Sequence, residues 1–266
     1  MSSSISTLKT IINNRYLIGV WVWKDLRGRY IGSAGGWLWA ALFPLAIMGT
    51  YFFIFSFFLK VRVPYAPGAA GYFMFLMSAL LPWGVTMEAL SRSTMIFFEQ
   101  APLVQKVAFP LEVLPVYISL AALLQPLIGL AIFGVLVAII KGLSFGCVLV
   151  IPFILFVQLI FTMGLAFSLS VVSVFLRDFV QAVPVILQIW FFASPILYPE
   201  SMVPDGLKWL LTINPLASLA SIYHGLFLLN EIMVWQICIF SVWALALWWL
   251  GTAVFALLKD SVSDLV

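Results

Sequence analysis

The sequence predicts an all-α membrane protein: an N-terminal amphipathic interface helix, six transmembrane helices, and a re-entrant helical hairpin between helices five and six. Hydrophobic residues make up 64% of the 266 residues, and charged residues only 9%. The mean hydropathy is +1.17, which excludes a water-soluble fold for a chain of this length. The apolar runs are continuous rather than alternating, and a helical crossing needs roughly 20 such residues. The runs are therefore helices and not barrel strands.

Residues 1–30 are predicted to form a helix that lies on the membrane rather than across it. Two sets of apolar residues recur there at helical spacing, namely Ile5, Leu8 and Ile12, and Ile11, Ile18 and Val22. Trp21 and Trp23 suit the headgroup layer, and the basic residues suit an anionic cytoplasmic leaflet. A loosely ordered tail is the alternative interpretation of this segment.

Six apolar stretches follow, and each is predicted to cross the membrane once. They cover approximately 33–59, 72–90, 116–140, 148–176, 179–197 and 235–258. Only Arg177 and Asp178 separate the fourth stretch from the fifth, which predicts a tight polar turn. The sequence contains no internal repeat. We therefore expect a single transmembrane domain over 1–266, with the interface helix at 1–30, the six-helix bundle at 33–258 and a tail at 259–266.

The distribution of Lys and Arg predicts that both termini are cytoplasmic. With the N-terminus inside, the cytoplasmic cations are Lys9, Arg15, Lys24, Arg27, Arg29, Arg92, Lys106, Arg177 and Lys259. The external cations are then Lys60, Arg62, Lys141 and Lys208. Because an even number of spans returns the chain to its starting side, the C-terminus is placed inside as well.

Within the segment 198–234, residues 207–229 are predicted to form two half-helices that dip into the outer leaflet and return. The segment opens like an external loop, with Pro199, Glu200, Pro204 and Asp205. Residues 207–229 are again apolar, but Asn214-Pro215 interrupts them and leaves each half too short to cross. Irregular backbone at membrane depth must lie against protein or water, so the hairpin should pack on the bundle or line its cavity. A seventh crossing, which would move the C-terminus outside, is the alternative.

The sequence lacks the residues that most enzyme sites require. No G-x-x-x-x-G-K-[ST] phosphate loop occurs, which excludes ATP binding of that kind. His224 is the only histidine and is not accompanied by a serine or zinc protease motif. Cys147 and Cys238 lie in or beside apolar runs, which disfavours a disulfide framework or a thiolate metal site. We therefore expect no metal, no cofactor and no enzyme activity in this chain.

A charged pair and the aromatic residues are the remaining candidates for function. Glu88 precedes Arg92 by four residues, the favourable order for an ion pair on a helix, near a predicted cytoplasmic end. A proton site at Glu88 within the membrane is the alternative. Aromatic residues make up 16% of the chain. Such rings suit the stacking of sugars, although most aromatic rings in membrane proteins face lipid or the core.

Four short elements occur in order along the chain. They are 23–30 (WKDLRGRY) followed by Ser33, Gly35, Trp37 and Pro44; Leu81-Pro82-Trp83 followed by Ser91, Ser93 and 103–110 (LVQKVAFP); Phe175-Leu176-Arg177-Asp178; and 194–199 (SPILYP) followed by Asn214-Pro215. In this order, and with six spans, they resemble the permease subunit of ABC-type exporters for bacterial surface polysaccharides such as O-antigen, capsule and teichoic acid. The resemblance extends over essentially the whole chain.

The resemblance implies a transport subunit that moves undecaprenyl-linked polysaccharide, with O-antigen favoured, from the cytoplasm to the periplasm across the bacterial inner membrane. Two copies of the chain would form a pore above two copies of a separate ATPase, which binds the ATP and Mg²⁺. Residues 99–110 would include the coupling helix, with Leu103 and Val104 inserted into a groove of the ATPase. The implied coupling residues are Glu99, Gln100, Leu103, Val104 and Lys106.

The resemblance also implies a substrate path. Arg27 and Arg29, with Tyr30, would lie at the inner headgroup level and hold the lipid pyrophosphate, because arginine suits bidentate phosphate contacts. Generic attraction to anionic lipid is the alternative role for these arginines. The first and fifth spans would line the channel with Trp39, Phe43, Tyr51 and Trp190. The hairpin would close the periplasmic mouth with Asn214, Pro215, Tyr223 and His224.

Three other functions stay open at this stage. A related permease could export a drug, a lipid or another small amphiphile. An intramembrane enzyme acting on polyprenyl lipids would need clustered acidic or histidine residues, which the sequence almost lacks. A secondary carrier is disfavoured because the chain has neither repeats nor paired carboxylates within the membrane.

Overall fold

The computed structural model describes residues 2–30, 35–36, 38–54, 58, 69–106 and 109–266, and in this part of the chain all regular structure is helical. The helices are α1 (Ser2–Asn13), α2 (Arg15–Tyr30), α3 (Leu38–Phe53), α4 (Ala69–Ser93), α5 (Ile96–Glu99), α6 (Ala101–Lys106), α7 (Val113–Lys141), α8 (Phe145–Phe175), α9 (Phe179–Phe192), α10 (Lys208–Ile213), α11 (Pro215–His224), α12 (Val234–Leu258) and α13 (Val262–Leu265). Several residues used above lie outside the described residues, namely Ser33, Trp37, Lys60, Arg62, Val107 and Ala108.

Four of these helices, α4, α7, α8 and α12, are long and apolar enough to cross a membrane, and they match the predicted second, third, fourth and sixth spans. The predicted first and fifth spans correspond to α3 and α9, which are apolar but contain only 16 and 14 described helical residues. At 1.5 Å per residue, α3 rises about 24 Å, less than the hydrocarbon thickness of about 30 Å. The six-span prediction is therefore confirmed for four helices only.

The segment between α9 and α12 contains the predicted interruption. The helical segments Asp205–Ile213 and Pro215–Leu229 meet at an angle of 93°, as expected for a re-entrant hairpin and also for a broken span. Asn214 has an extended backbone because Pro215 follows it, and its side chain caps α11 by accepting a hydrogen bond from the Leu216 N–H at 3.0 Å. Eight of the ten α11 residues are buried, so this half of the segment packs into the bundle.

The N-terminal segment is helical, as predicted, and packs along the bundle with one face. Thr7 and Ile18 are buried on that face, and Ser4 Oγ lies 2.7 Å from Thr252 Oγ1 of α12. The opposite face is exposed and largely apolar, with Ile5, Leu8, Ile12, Tyr16, Val20 and Trp23. These positions recur every three or four residues and therefore form one stripe along α1 and α2.

Helices α8 and α12 approach each other closely at Gly164 and Gly251, where no side chain lies between the two backbones. A Cβ atom added to Gly164 would lie 2.5 Å from backbone atoms of Leu247 and Trp248, and one added to Gly251 would overlap the carbonyl oxygen of Gly164. Small residues permit such close contact between helices in a membrane, where packing rather than hydrophobic burial drives helix association. The pair forms the centre against which α1 and α11 pack.

Candidate functional site

Four charged side chains of α2 and α4 form one network. Arg29 Nε donates to Asp25 Oδ2 at 2.9 Å, and Arg29 Nη2 forms an ion pair with Glu88 Oε1 at a distance of 2.6 Å. Arg92 pairs with Asp25 through both of its terminal nitrogens and lies 3.5 Å from Glu88 Oε1. The predicted pair of Glu88 and Arg92 is therefore present, but as one edge of a larger network that fastens α2 to α4.

The network is internally balanced and largely shielded from solvent. Its two arginines and two carboxylates are 15–29% exposed, so their attraction is screened less than that of a surface pair. Burial lowers the pKa of Arg29, but the charges of Glu88 and Asp25 outweigh this effect and the pKa lies above its ordinary value. Arg29 therefore remains a cation with two carboxylate partners.

A cavity of about 790 Å³ opens beside this network. Arg29 and Glu88 lie at its charged end, and it follows α3 from Trp39 to Tyr51, about 18 Å of helical rise. Five aromatic residues contribute to its wall, namely Trp39, Phe43, Tyr51, Trp83 and Phe191. Three of the four predicted pore aromatics thus lie together along one cavity with the predicted pyrophosphate contact Arg29.

The fourth predicted pore aromatic, Trp190, is placed elsewhere. Its indole Nε1 donates to Asn214 Oδ1 at 2.8 Å, and its ring lies 6.3 Å from that of Phe161. The next residue, Phe191, lines the cavity and packs 5.8 Å from Trp83. Successive helical residues point about 100° apart, so α9 directs Phe191 to the cavity and Trp190 to the hairpin.

Asn214 joins the bend of the hairpin to the end of α9. Besides capping α11 and accepting from Trp190, it donates from Nδ2 to Ser194 Oγ at 3.0 Å and to the Ala193 carbonyl at 3.2 Å. Its amide therefore uses both donors and its acceptor oxygen. Pro215 occupies the first turn of α11, where its missing N–H is not needed.

The other two predicted gate residues lie inside the fold. Tyr223 is fully buried and donates to Gln158 Oε1 at 3.3 Å, while Gln158 Nε2 donates to the Pro82 carbonyl at 2.7 Å. His224 Nε2 lies 3.1 Å from the Phe75 carbonyl, and its ring stacks on Phe75 with centroids 4.1 Å apart. Both side chains thus attach α11 to the bundle.

The predicted coupling residues lie on the short helices α5 and α6 and, for Gln100, at the junction between them. Glu99 is exposed, Gln100 and Leu103 are half-buried, and Lys106 is the last residue of α6. Tyr30, predicted with Arg27 and Arg29 as a pyrophosphate contact, is the last residue of α2. Val104 is 6% exposed and packs in a cluster with Ile18 of α2 and with residues at the start of α7. The Val104 side chain is thus covered within its own chain, and the insertion of Leu103 and Val104 into a partner stays a prediction.

Sequence reasoning missed three features of this site. Asp25 and Arg29 are four residues apart, a spacing that already indicates a helical ion pair. Gln158 and Gln188 are polar residues within apolar runs. A carboxamide in such a run indicates a hydrogen bond or a polar contact inside the bundle, and this pattern could have identified both residues. Gln158 is buried between helices, and Gln188 lines the cavity.

Comparison with known proteins establishes the family. The chain matches the family model described as ABC-2 type transporter over residues 16–228. The protein therefore belongs to the ABC-2 type transporter family and is a multi-pass membrane subunit of an ABC transporter. This confirms the resemblance drawn from the four sequence elements. Family membership also makes the chain a transport subunit rather than an enzyme, implies a separate ATPase partner, and leaves no cofactor to be expected here.

Relatives of known role are similar over most of the chain. The O-antigen export system permease protein RfbA of Klebsiella pneumoniae is 30% identical over 247 residues, which cover 91% of this chain and 92% of that protein. The O-antigen export system permease protein RfbA of Myxococcus xanthus is 30% identical over 230 residues, which cover 84% of each chain.

Proposed function

We propose that this chain is the membrane-spanning subunit of an ATP-driven exporter that moves undecaprenyl-linked polysaccharide, O-antigen in particular, from the cytoplasm to the periplasm. The observation that carries the proposal is the aromatic cavity with an arginine network at one end. Polarised C–H groups of a sugar stack on the electron-rich faces of aromatic rings, and guanidinium groups bind phosphate. The similarity to two O-antigen export permeases supports the same class of substrate.

The two candidate arginines have different roles in this proposal. Arg27 is exposed and forms no ion pair with any residue that the structure describes, so its guanidinium is available to a lipid pyrophosphate. Arg29 already holds two carboxylates, so a phosphate has to displace Glu88 or Asp25 from it. Arg27 thus captures the headgroup at the inner leaflet, and Arg29 and Tyr30 receive it at the start of the cavity.

In the membrane, α3 and α9 complete six crossings with the four long helices. Both termini are cytoplasmic, and the hairpin 207–229 is periplasmic, with Asn214, Pro215, Tyr223 and His224 holding it over the mouth of the pore. Two copies of the chain enclose the pore in the bacterial inner membrane. Glu99, Gln100, Leu103 and Lys106, together with the N-terminal helix, contact two copies of the ATPase.

The test is reconstitution of the permease with its ATPase in lipid nanodiscs. ATP hydrolysis is measured with undecaprenyl pyrophosphate carrying a short glycan, and we expect the glycan lipid to stimulate it. Stimulation by apolar drugs or phospholipids instead would favour export of another amphiphile, which the mainly apolar cavity wall would also accept. A chain that purifies without any ATPase would refute the proposal.

A further inference from the structure

Helix α9 carries two glutamines on one face of an apolar segment. Gln181 and Gln188 are seven residues apart, which places them on the same side of the helix, and both are exposed. Neither side-chain amide has a hydrogen-bond partner among the residues that the structure describes. A carboxamide without a partner is unfavourable in contact with hydrocarbon, because lipid tails cannot satisfy its polar groups. Gln188 meets this requirement because it lines the cavity beside α9.

The two glutamines differ in their surroundings. Gln188 lines the cavity of about 790 Å³ together with Tyr51, Trp83 and Phe191, whereas Gln181 does not. Trp83 and Phe191 lie 5.8 Å apart with their rings tilted by 34°. Apart from Arg29 and Glu88, the described part of the wall thus combines aromatic and aliphatic side chains with one carboxamide, that of Gln188. A ligand with apolar faces and polar edges suits such a wall.

We infer that Gln188 is a specificity-determining contact for the sugar units of the exported glycan, an inference that rests on the proposed function. The side chain offers two N–H donors and one acceptor oxygen, and neighbouring hydroxyl groups of a neutral sugar both donate and accept. The rings of Trp83 and Phe191 contact the C–H faces of the same sugar. A site that hydrogen-bonds a substrate hydroxyl discriminates strongly against molecules that lack it.

The inference is tested by replacing Gln188 with leucine, which keeps the approximate size and removes the hydrogen bonds. The matched control is Gln181→Leu, the same change on the same helix face outside the cavity. The complete permease–ATPase assembly in nanodiscs is titrated with two probes, undecaprenyl pyrophosphate and undecaprenyl pyrophosphate carrying a neutral tetrasaccharide. The half-saturating concentration for stimulated ATP hydrolysis is measured for each probe, and the mass of the assembly reports its subunit number.

We expect Gln188→Leu to raise the half-saturating concentration of the tetrasaccharide lipid about five- to tenfold, as the loss of one or two neutral hydrogen bonds implies. It should not raise that of the carbohydrate-free lipid, and Gln181→Leu should shift neither. If the two variants have equal half-saturating concentrations for the tetrasaccharide lipid, the inference is wrong. The proposed function still stands in that case, provided that the glycan lipid stimulates ATP hydrolysis by the wild-type assembly.

Two other results would overturn the inference but leave the proposed function standing. An equal shift with both probes would assign Gln188 to the lipid or to the structure of the wall rather than to the sugar. Dissociation of the assembly by Gln188→Leu but not by Gln181→Leu would assign the residue to a contact between subunits. If the wild-type assembly fails to respond to the tetrasaccharide lipid, the proposed function fails first, and the inference with it.

Discussion

Arg27 and Arg29 are two residues apart in sequence but occupy different electrostatic surroundings. The side chain of Arg29 is 21% exposed and is shared between Asp25 and Glu88, whereas Arg27 is exposed. Breaking a partly buried network leaves a carboxylate with fewer partners, which costs more than the loss of a surface pair. Arg29 therefore has a structural role as well as its proposed role in binding, and Arg27 is free of the structural one.

Replacing Arg27 and Arg29 together with alanine is expected to abolish surface glycan while the ATPase still co-purifies. The headgroup then loses both bidentate phosphate donors, while α5 and α6, which carry the named residues of the proposed ATPase contact, are unchanged. Arg27→Ala alone spares the network of Arg29 and should already lower surface glycan. Surface glycan is measured by immunoblot and the ATPase by affinity purification. Lys9→Ala removes an exposed cation from the same N-terminal segment and should leave export intact. Loss of the ATPase from the double variant would contradict the headgroup role.

At the scale of single residues, local contacts were predictable and distant ones were not. The pair of Glu88 and Arg92 follows from helical spacing alone. The bond between Asp25 and Arg92 joins residues 67 positions apart, and the periodicity of a single segment does not predict such a distant contact. The burial of Val104 has the same origin, because the partners that cover it come from α2 and α7.

At the scale of the helices, the contact between α8 and α12 allows no side chain at two positions. Neither Gly164 nor Gly251 has room for a methyl group, since each faces backbone atoms of the opposite helix rather than a movable side chain. Close-packed interiors do not absorb such an overlap without a shift of the backbone. The two glycines are therefore required by packing and not by backbone conformation.

Gly251→Ala is expected to lower the free energy of unfolding by about 3 kcal/mol, because α12 must move away from α8 to admit the methyl group. Gly49→Ala is the control, since Gly49 lies in α3 with open space around the added methyl. That change should be neutral or slightly stabilising, as alanine is the better helix former. Thermal unfolding in detergent compares the two. Equal melting temperatures would show that α8 and α12 are not in backbone contact.

The apolar pattern predicts the long helices better than the short ones. The ends of α4, α7, α8 and α12 lie within about three residues of the predicted bounds. The bend at Asn214 was also predictable, because proline both ends a helix and restricts the residue before it. Helix α9 ends at Phe192 although the apolar run continues, because Ser194 and Pro195 form a turn there, and hydropathy does not respond to turn chemistry.

At the scale of the whole molecule, one end of the bundle gathers the charged contacts between distant segments. Lys259 Nζ lies 2.8 Å from Glu112 Oε1, which joins the end of α12 to the start of α7. The network of α2 and α4 joins the N-terminal segment to Glu88 and Arg92, in the last two turns of α4. Since the positive-inside distribution assigns these segments to the cytoplasm, we expect this end to face the ATPase.

Cysteine labelling tests that orientation. The native cysteines are first removed with Cys147→Ala and Cys238→Ser. Single cysteines then replace Gln105, Asp205 or Asp264, whose native side chains are all exposed. Spheroplasts that contain each variant are treated with a membrane-impermeant maleimide. Asp205→Cys should react, and Gln105→Cys and Asp264→Cys should react only after permeabilisation. Labelling of Asp264→Cys in intact spheroplasts would instead indicate that the hairpin is a seventh crossing.

The glycine contact also determines which parts of the protein are able to move. At Gly164 and Gly251 the backbones of α8 and α12 are in contact, and Phe161 and Phe167 of α8 pack against aromatic rings of α12. The hydrogen bond between Ser4 and Thr252 attaches α1 to the same unit. Helices α3 and α9 instead border open volume. We expect the conformational change during transport to move α3 and α9 relative to a rigid group formed by α1, α8 and α12. Spin-label distances among α1, α8 and α12 should then stay constant when ATP binds, while distances from these helices to α9 change. A change in the distances among α1, α8 and α12 would contradict this prediction.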